Sequence, residues 1–389
     1  MVYFELHIRN MTSFKDLINF DAKHLFKKED TSMLGIDIGA TAIKVVQLRK
    51  EKGVAVLETY GELSLGPYSN KEIGQAVSPT NNQVASALTD LLREANTTTK
   101  NCGFSIPFSS SLISLIDMPK LSEEQLAKVI PIEARKYIPV PISEVTLDWF
   151  IIPEEEKDIE SFESGEADKV AAGKEKQKVL VVAIHNDILS NYREIVDLTN
   201  LDASFFEIEI FATIRAVIGR NLSPTMILDI GAGTTKLFIV EYGVVKLSHV
   251  INRGSQDITR TISQSLGLSL TKAEEFKREY GVSHESSDPS VTEAMLLPLG
   301  DIFGDVNRVL LSYEKKSNKN IGTVVLTGGG AVLKGLLSFA KERLRTDVVL
   351  GNPFEKVEAP AFLEDVLKEV GPEFSVAVGL ALRKLQEIE

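Results

Sequence analysis

From residue 34 onward, apolar and polar positions fall into short blocks whose period changes in a regular order. "LGIDIG" and "AIKVVQL" read as two strands joined by a turn, and "VAVLETYGEL" as a third. A polar stretch through Pro79, Thr80, Asn81 and Asn82 leads into a helical spacing over 84–95. "CGFSIP" and "LISLIDMP" return to strand. "SEEQLAKVIPIEARKYI" reads as a helix opened by Ser122, with carboxylates in its first turn. "VTLDWFII" and "KVLVVAIH" are strands again, and "NDILSNYREIVDLTN" is a helix. From "LISLIDMP" on, these elements make a β-α-β-β-α block over about 112–199, long enough to be a subdomain. Inside it, 154–178 is rich in Glu, Asp, Lys, Gly and Ser, which predicts a solvated, disordered hairpin loop.

Beyond the block, "SFFEIEIFATIRAVIG" runs from strand into helix, and then the opening pattern returns. "MILDIGAGTTKLFIV" nearly repeats "LGIDIGATAIKVVQL" and continues through "VVKLSHVINRG". Helical periodicity dominates 255–316. "TVVLTGGGAVLKGLLSFAKERL" reads as a buried strand, a triple glycine and a helix, and "FSVAVGLALRKLQEI" as a final amphipathic helix. Two strand hairpins, each followed by helices, predict two α/β halves around a cleft. Before all of this, Ser13 and Asp16 fit a helix start, and Phe14, Leu17, Ile18, Leu25 and Phe26 fall near one face, with Lys27 and Lys28 behind. Such a helix fits packing on the body, or docking on a partner or membrane surface.

Composition narrows the function. A chain of 389 residues is longer than one hydrophobic core supports. A net charge of −12 excludes a generic nucleic-acid binder. One cysteine, Cys102, excludes an internal disulfide framework and fits a reducing compartment as a small buried residue. No apolar run reaches the roughly 18–20 residues of a membrane span, and no signal-peptide core opens the chain, so a cytoplasmic location is expected.

The repeated turns carry the candidate chemistry. Asp37 ends an apolar strand, and Gly39 lets backbone N–H groups approach a polyanion closely. Ala40 completes the small turn, Thr41 adds a hydroxyl and Lys44 a cation within reach of a phosphate. Asp37 suits a divalent metal held through water, as Mg²⁺ prefers. Asp229, Gly231, Gly233, Thr234 and Thr235 offer the same order again. One such hairpin is common furniture, whereas two copies point to a two-sided phosphate clamp. Gly328, Gly329 and Gly330, at a strand-to-helix turn, suit the nucleoside end of a nucleotide. No G-x-x-x-x-G-K-[ST] loop exists, which excludes a P-loop NTPase.

This order resembles the actin-like ATPase superfamily. The resemblance implies a duplicated ribonuclease H-like fold in two domains, with ATP and Mg²⁺ between them. Asp37, Gly39, Ala40, Thr41 and Lys44 would form one phosphate loop, and Asp229, Gly231, Gly233, Thr234 and Thr235 the other. Asp37 and Asp229 would serve the metal, and Gly328 to Gly330 the adenosine. Glu209, in "EIFATIRAV", matches the position that orients the attacking water. Glu274 and Lys277, in "TKAEEFK", lie where the superfamily often touches adenosine and ribose, although an exposed charged helix explains them almost as well. Lys236 draws little support as a second cationic ligand. His185 and His249 stand at no metal or triad spacing, and Trp149 reads as core.

Within the superfamily, "EARKYIPVPISEVTLDWFII", "FFEIEIFATIRAV", "INRGSQDITRTISQSLGLSLTKAEEFK", "LTGGGAVLKGL", "NPFEKV" and "VAVGLALR" resemble the PilM family of type IV pilus assembly. This family is similar to FtsA in carrying an inserted subdomain. The resemblance implies a first actin-like domain from 33–111 and 200–225, to which 373–389 returns. It implies an inserted α/β subdomain over 112–199 and a second domain over 226–372 containing a helical part at 250–318, with 1–32 as an extension. It also implies a scaffold, peripheral on the inner face of the cytoplasmic membrane. Its partners would be the cytoplasmic tail of a PilN-like membrane protein and other pilus assembly proteins, and a homo-oligomer stays open. ATPase activity would be slow at most. The sequence departs from the family pattern in residues 1–10, which precede its usual start, and in the length of 154–178. Two alternatives are a small-molecule (sugar) kinase and an FtsA-like filament-forming division scaffold. The first lacks a candidate base and sugar pocket, and the second a C-terminal membrane helix after a linker.

Overall fold

The computed structural model describes residues 32–152, 176–219, 223–282 and 288–387. The expected N-terminal helix and nearly all of the expected 154–178 loop lie outside them. Among the described residues, Phe108–Tyr192 makes one compact unit and the remainder another.

The larger unit contains the same sheet twice. β1 (Ser32–Ile38), β2 (Ala42–Glu51) and β3 (Val54–Ser64) form an antiparallel meander, and β4 (Asn101–Ile106) and β8 (Asp202–Ile208) continue it in parallel, in the order β3-β2-β1-β4-β8. β9 (Thr225–Ile230), β10 (Thr235–Glu241), β11 (Val244–Ile251), β12 (Thr323–Thr327) and β13 (Asp347–Leu350) repeat the design as β11-β10-β9-β12-β13. The register repeats as well: Asp37 pairs with Lys44 across β1 and β2, and Asp229 with Lys236 across β9 and β10. β1 and β9 are near-continuous apolar runs because each is a central strand covered on both faces.

Helices fix these sheets at close range. α10 (Ser375–Glu387) lies on β1 at Gly35, where a Cβ would stand 1.9 Å from the Ala377 carbonyl oxygen. The same helix crosses α4 (Glu209–Val217) at Gly379, where a Cβ would meet the Ala212 carbonyl oxygen at 1.9 Å. α5 (Ser255–Leu266), α6 (Leu270–Tyr280) and α7 (Pro289–Ser317) share a core with β9 and β10 through Leu228, Leu237, Ile258, Met295 and Phe303. α1 (Asn81–Glu94) starts ahead of its apolar positions because Thr80 caps it in a reciprocal box with Gln83.

The smaller unit is a three-stranded antiparallel sheet, β5 (Ser111–Pro119), β6 (Val145–Ile152) and β7 (Lys176–His185), ordered β5-β7-β6. α2 (Glu123–Ala134) covers one face with Leu126 and Ile130 against Val179 and Val181, and Trp149 is half-buried against this core. α2 stops short of the expected 138, since Pro131 has no N–H for the Ala127 carbonyl and the helix survives only one more turn. α3 (Asn186–Thr199) carries the chain back to the larger unit.

Two further differences from the sequence pattern appear near the third glycine site. β13 is only four residues long, too short for alternation to register. The helix expected directly after the triple glycine, α8 (Leu336–Arg343), begins only beyond Gly335, which sits at φ 78°. Residues 328–335 instead form successive turns, opened by Gly328 at φ 83°, so Gly328 to Gly330 do not lie at a helix N-terminus. α9 (Glu364–Val370) completes the set.

Candidate functional site

Two equivalent turns line a polar cleft in the larger unit. In the first, the Gly39 N–H donates to the Ala42 carbonyl at 2.9 Å; in the second, the Gly231 N–H donates to Thr234 at 3.0 Å. In the first turn the Ala40 and Thr41 carbonyls accept from the N–H groups of Val77 and Leu65. In the second, the Gly231 and Ala232 carbonyls accept from Ser255 and Gln256, the first residues of α5. With those carbonyls committed to protein, an approaching polyanion meets backbone amide at both turns. Gly254 is required for this packing, since a Cβ there would stand 2.5 Å from the Ala232 carbonyl oxygen and 2.6 Å from that of Gly231.

The repeat is exact in register but not in chemistry. Counting from the aspartates, Thr41 stands where the second turn has Gly233, and Thr234 where the first has Ala42. Thr235 is fully buried and donates its hydroxyl to the Arg253 carbonyl at 2.9 Å, which ties β10 to the loop before α5.

The charged side chains converge unevenly. Asp37 accepts from the Ser105 hydroxyl of β4 at 2.7 Å. Burial pushes its pKa up; Ser105, Lys44 and Lys236 pull against that, and Asp229 adds to the rise. Lys236 Nζ donates to Glu209, the first residue of α4, at 2.7 Å and to Asp229 at 3.2 Å. Burial opposes the Lys236 charge, but Glu209 and Asp229 outweigh it and hold the ammonium protonated. Burial raises the Glu209 pKa, Lys236 pulls it down, and Asp229 and Asp37 push it up. The Lys44 ammonium is turned toward Glu62 at 3.1 Å and Glu373 at 3.7 Å. Burial again works against the cation, and the three neighbouring carboxylates, Glu62, Glu373 and Asp37, raise its pKa.

Toward the third glycine site, Gly328 donates to the Pro372 carbonyl and Gly330 to Ile230, both within 2.9 Å. A Cβ on Gly328 would strike the Asp229 carboxylate at 2.2 Å, so this glycine clears the space that Asp229 occupies. Gly329 lies between them, near Glu373. Glu274 and Lys277 form a buried pair at 2.6 Å on α6, and both bond the Thr259 hydroxyl of α5. They therefore face the N-terminal end of α5 and the second turn, which an exposed charged helix would not. A strap at 65–79 reaches them from the first half: Gln256 donates to the Gly74 carbonyl at 2.9 Å, Thr271 to Glu72, and Gly74 packs on Glu274.

Lys236, which drew little support from the sequence, lies between Glu209 and Asp229, and Ser105, Gly254 and Glu373 were not singled out as site residues. For Lys236 a signal existed, because it follows Asp229 at the spacing by which Lys44 follows Asp37. Ser105 and Glu373 come from segments whose local pattern is ordinary. Among the described residues, no group of three or more metal-ligating side chains stands together. Asp37 and Asp229 thus offer a hard cation at most a pair of carboxylates, which suits an ion that keeps water and phosphate oxygens.

A sheet duplicated in this order, with its two hairpin turns facing one cleft, makes this an actin-like protein with an added α/β unit. The chain belongs to the family described as type IV pilus assembly protein PilM, whose model matches residues 35–385. A solved structure described as a PilM-PilN type IV pilus biogenesis complex is similar with a TM-score of 0.74 and 25% identity, covering 92% of this chain and 99% of that one. The ethanolamine utilization protein EutJ from Carboxydothermus hydrogenoformans shares the fold at a TM-score of 0.52 and 13% identity, over 92% of each chain. Curated relatives include the cell division protein FtsA of Neisseria meningitidis serogroup B, 26% identical over 227 residues, which are 52% of this chain and 53% of the relative. FtsA of Helicobacter pylori strain J99 is 31% identical over 182 residues, 40% of this chain and 36% of the relative. The chain thus spans about half or less of the length of these curated relatives.

Proposed function

We propose that this protein is a nucleotide-responsive scaffold of type IV pilus assembly. It binds ATP with Mg²⁺ in the cleft and docks the cytoplasmic tail of a PilN-like inner-membrane protein, which holds it on the inner face of the membrane. The observation that carries the nucleotide reading is the convergence of Asp37, Asp229, Glu209 and Lys236 between two equivalent amide-lined turns. The residues fit the ligand: amides of the turns at Ala40 and Thr41 and at Gly233 and Thr234 take phosphate oxygens, with Gly39 and Gly231 shaping the turns, and Lys44 and Lys236 supply cations. Asp37 and Asp229 take the metal's water shell. A bound Mg²⁺ would offset phosphate charge. Glu274, Lys277 and Gly328 to Gly330 border the nucleoside end. Glu209 and Lys236 act together on the water beyond the phosphates, and because the Glu209 carboxylate is held by the Lys236 ammonium, turnover is slow.

The partner reading rests on family membership and on the similarity to the PilM-PilN complex. The smaller unit supports it with an apolar hollow lined by Leu112, Ile116, Ile138, Val181 and the exposed Tyr137. Among the described residues no helix is long and apolar enough to cross a membrane.

Calorimetry with MgATP, followed by titration of a PilN-like tail peptide with and without nucleotide, tests both parts. Nucleotide binding lost in Asp229→Ala, and a peptide affinity that changes with nucleotide, are expected. Unchanged ATP affinity in that variant sinks the clamp, and phosphoryl transfer to a sugar panel without peptide binding replaces the scaffold with a kinase.

A further inference from the structure

α7 carries a solvent-facing stripe that its own fold does not use. One side of this 29-residue helix is core, with Met295, Phe303 and Val306 fully or almost fully buried. On the opposite side, Glu293, Leu297, Gly304, Arg308, Leu311 and Lys315 follow at three- and four-residue spacing and face water, with Gly300 half-buried among them. Leu297 is 69% exposed and Leu311 62%. A Cβ at Gly300 or Gly304 would meet nothing within 4 Å. Each glycine in a helix interior costs about 1 kcal/mol relative to alanine, and among the described residues no contact calls for it.

The stripe is symmetric about its own middle. A two-fold axis through Gly304, with a second copy of α7 antiparallel, brings Leu297 of one copy opposite Leu311 of the other. It also brings Glu293 opposite Lys315, at both ends of the contact. Opposite charges thus meet twice and apolar side chains twice, and Arg308, paired with Asp305 of its own helix, comes opposite the bare Gly300 of the other copy, so no like charges of the stripe face each other. Within one helix Glu293 and Lys315 are about 33 Å apart at 1.5 Å per residue, so the complementarity has meaning only between copies. The bare backbone at the axis lets two helices pack closely at a shallow crossing angle of about 20°.

We propose that a second copy of this chain occupies the face, giving an isologous pair through α7. One helix pair buries less than the roughly 1,200 Å² of a stable interface, so the pair is weak and forms where copies are locally concentrated. The inference does not depend on the nucleotide or partner readings.

Two variants of the full chain test it. Gly304→Cys places a thiol at the axis, and Cys102 is buried and gives no background; mild oxidation is expected to yield a disulfide-linked dimer. In sedimentation at high concentration, Glu293→Lys and Lys315→Glu each weaken association at least tenfold, and the double variant restores it. Circular dichroism and thermal melts check that all variants fold. Absence of a cross-link, or a double variant no better than the singles, overturns the proposal. So does loss of binding to lipid vesicles or to the tail peptide in Leu297→Glu when self-association stays unchanged, since the face then belongs to that other occupant.

Discussion

Asp37, half-buried at the turn, and Glu207, fully enclosed, show how two carboxylates of one protein can have opposite effects on stability. Burial raises the Asp37 pKa, and its hydrogen bond and neighbouring cations do not fully offset it. A raised carboxylate destabilises the fold once ionised, so Asp37→Asn is expected to raise the melting temperature of the nucleotide-free protein at pH 7. That gain fades as pH falls to the range where Asp37 is protonated in both states. The same variant loses MgATP-dependent stabilisation, which differential scanning calorimetry checks in one series. Lys236 offers a second residue-scale test. Lys236→Met leaves Glu209 and Asp229 without their shared cation, and at the 15% exposure of Lys236 this costs about 1–3 kcal/mol. In a urea-denaturation cycle with Glu209→Gln, the double variant is expected to lose clearly less than the sum of the singles. Additive losses would mean that the two side chains act separately.

At the scale of elements, what matters is how α4 and α10 are joined. Arg215 of α4 holds Glu207 through two bonds, at 2.8 and 2.7 Å, and Arg383 of α10 reaches the same carboxylate at 3.2 Å. Burial works to raise the Glu207 pKa, and the two guanidinium groups more than offset it, so the net shift is downward. The stability from a lowered carboxylate is present above its unfolded pKa and lost as pH falls through the folded one. Glu207→Gln therefore destabilises at pH 7, and its deficit against the wild type shrinks in acid, opposite in sign to Asp37→Asn. The helices cross at Gly379, and Gly379→Ala forces α10 off α4 because the obstacle is a backbone carbonyl; a loss of about 1–3 kcal/mol in denaturant melts is expected. Glu207, next to last in β8, stands two residues before Glu209 opens α4, so one short junction carries both the helix-crossing clamp and the cleft acid.

For the larger unit as a whole, polar contacts join the two halves around the cleft, among them the strap at 65–79 and the Lys236–Glu209 pair. A ligand that engages both turns adds stability by mass action, about 2.7 kcal/mol at one hundred times its dissociation constant. Truncating the bridge with Gln256→Ala is expected to reduce the melting-temperature gain from MgATP more than it reduces the melting temperature of the ligand-free protein. A reversed order would make the strap a folding element rather than a ligand-responsive one.

The sequence by itself determined the duplicated hairpins, because an aspartate and glycine ending an apolar run, with a lysine at fixed spacing, leave a pattern of period two broken in the same place twice. It determined most helices for the same local reason, including the α1 start that Thr80 caps. It did not determine which lysine of the repeat stands among the cleft carboxylates. Lys44 and Lys236 have equivalent registers, and only the packing of Glu373 and Glu62 on one side, and of Glu209 on the other, separates them. Nor did it reveal Gly35, Gly254 and Gly379, whose missing side chains matter because a distant helix or carbonyl lies against them. The turns after Gly328 likewise needed tertiary context, since strand, glycine and apolar run read equally well as a helix start. Charge placement and close approach depend on residues far apart in the chain, and no local pattern encodes them.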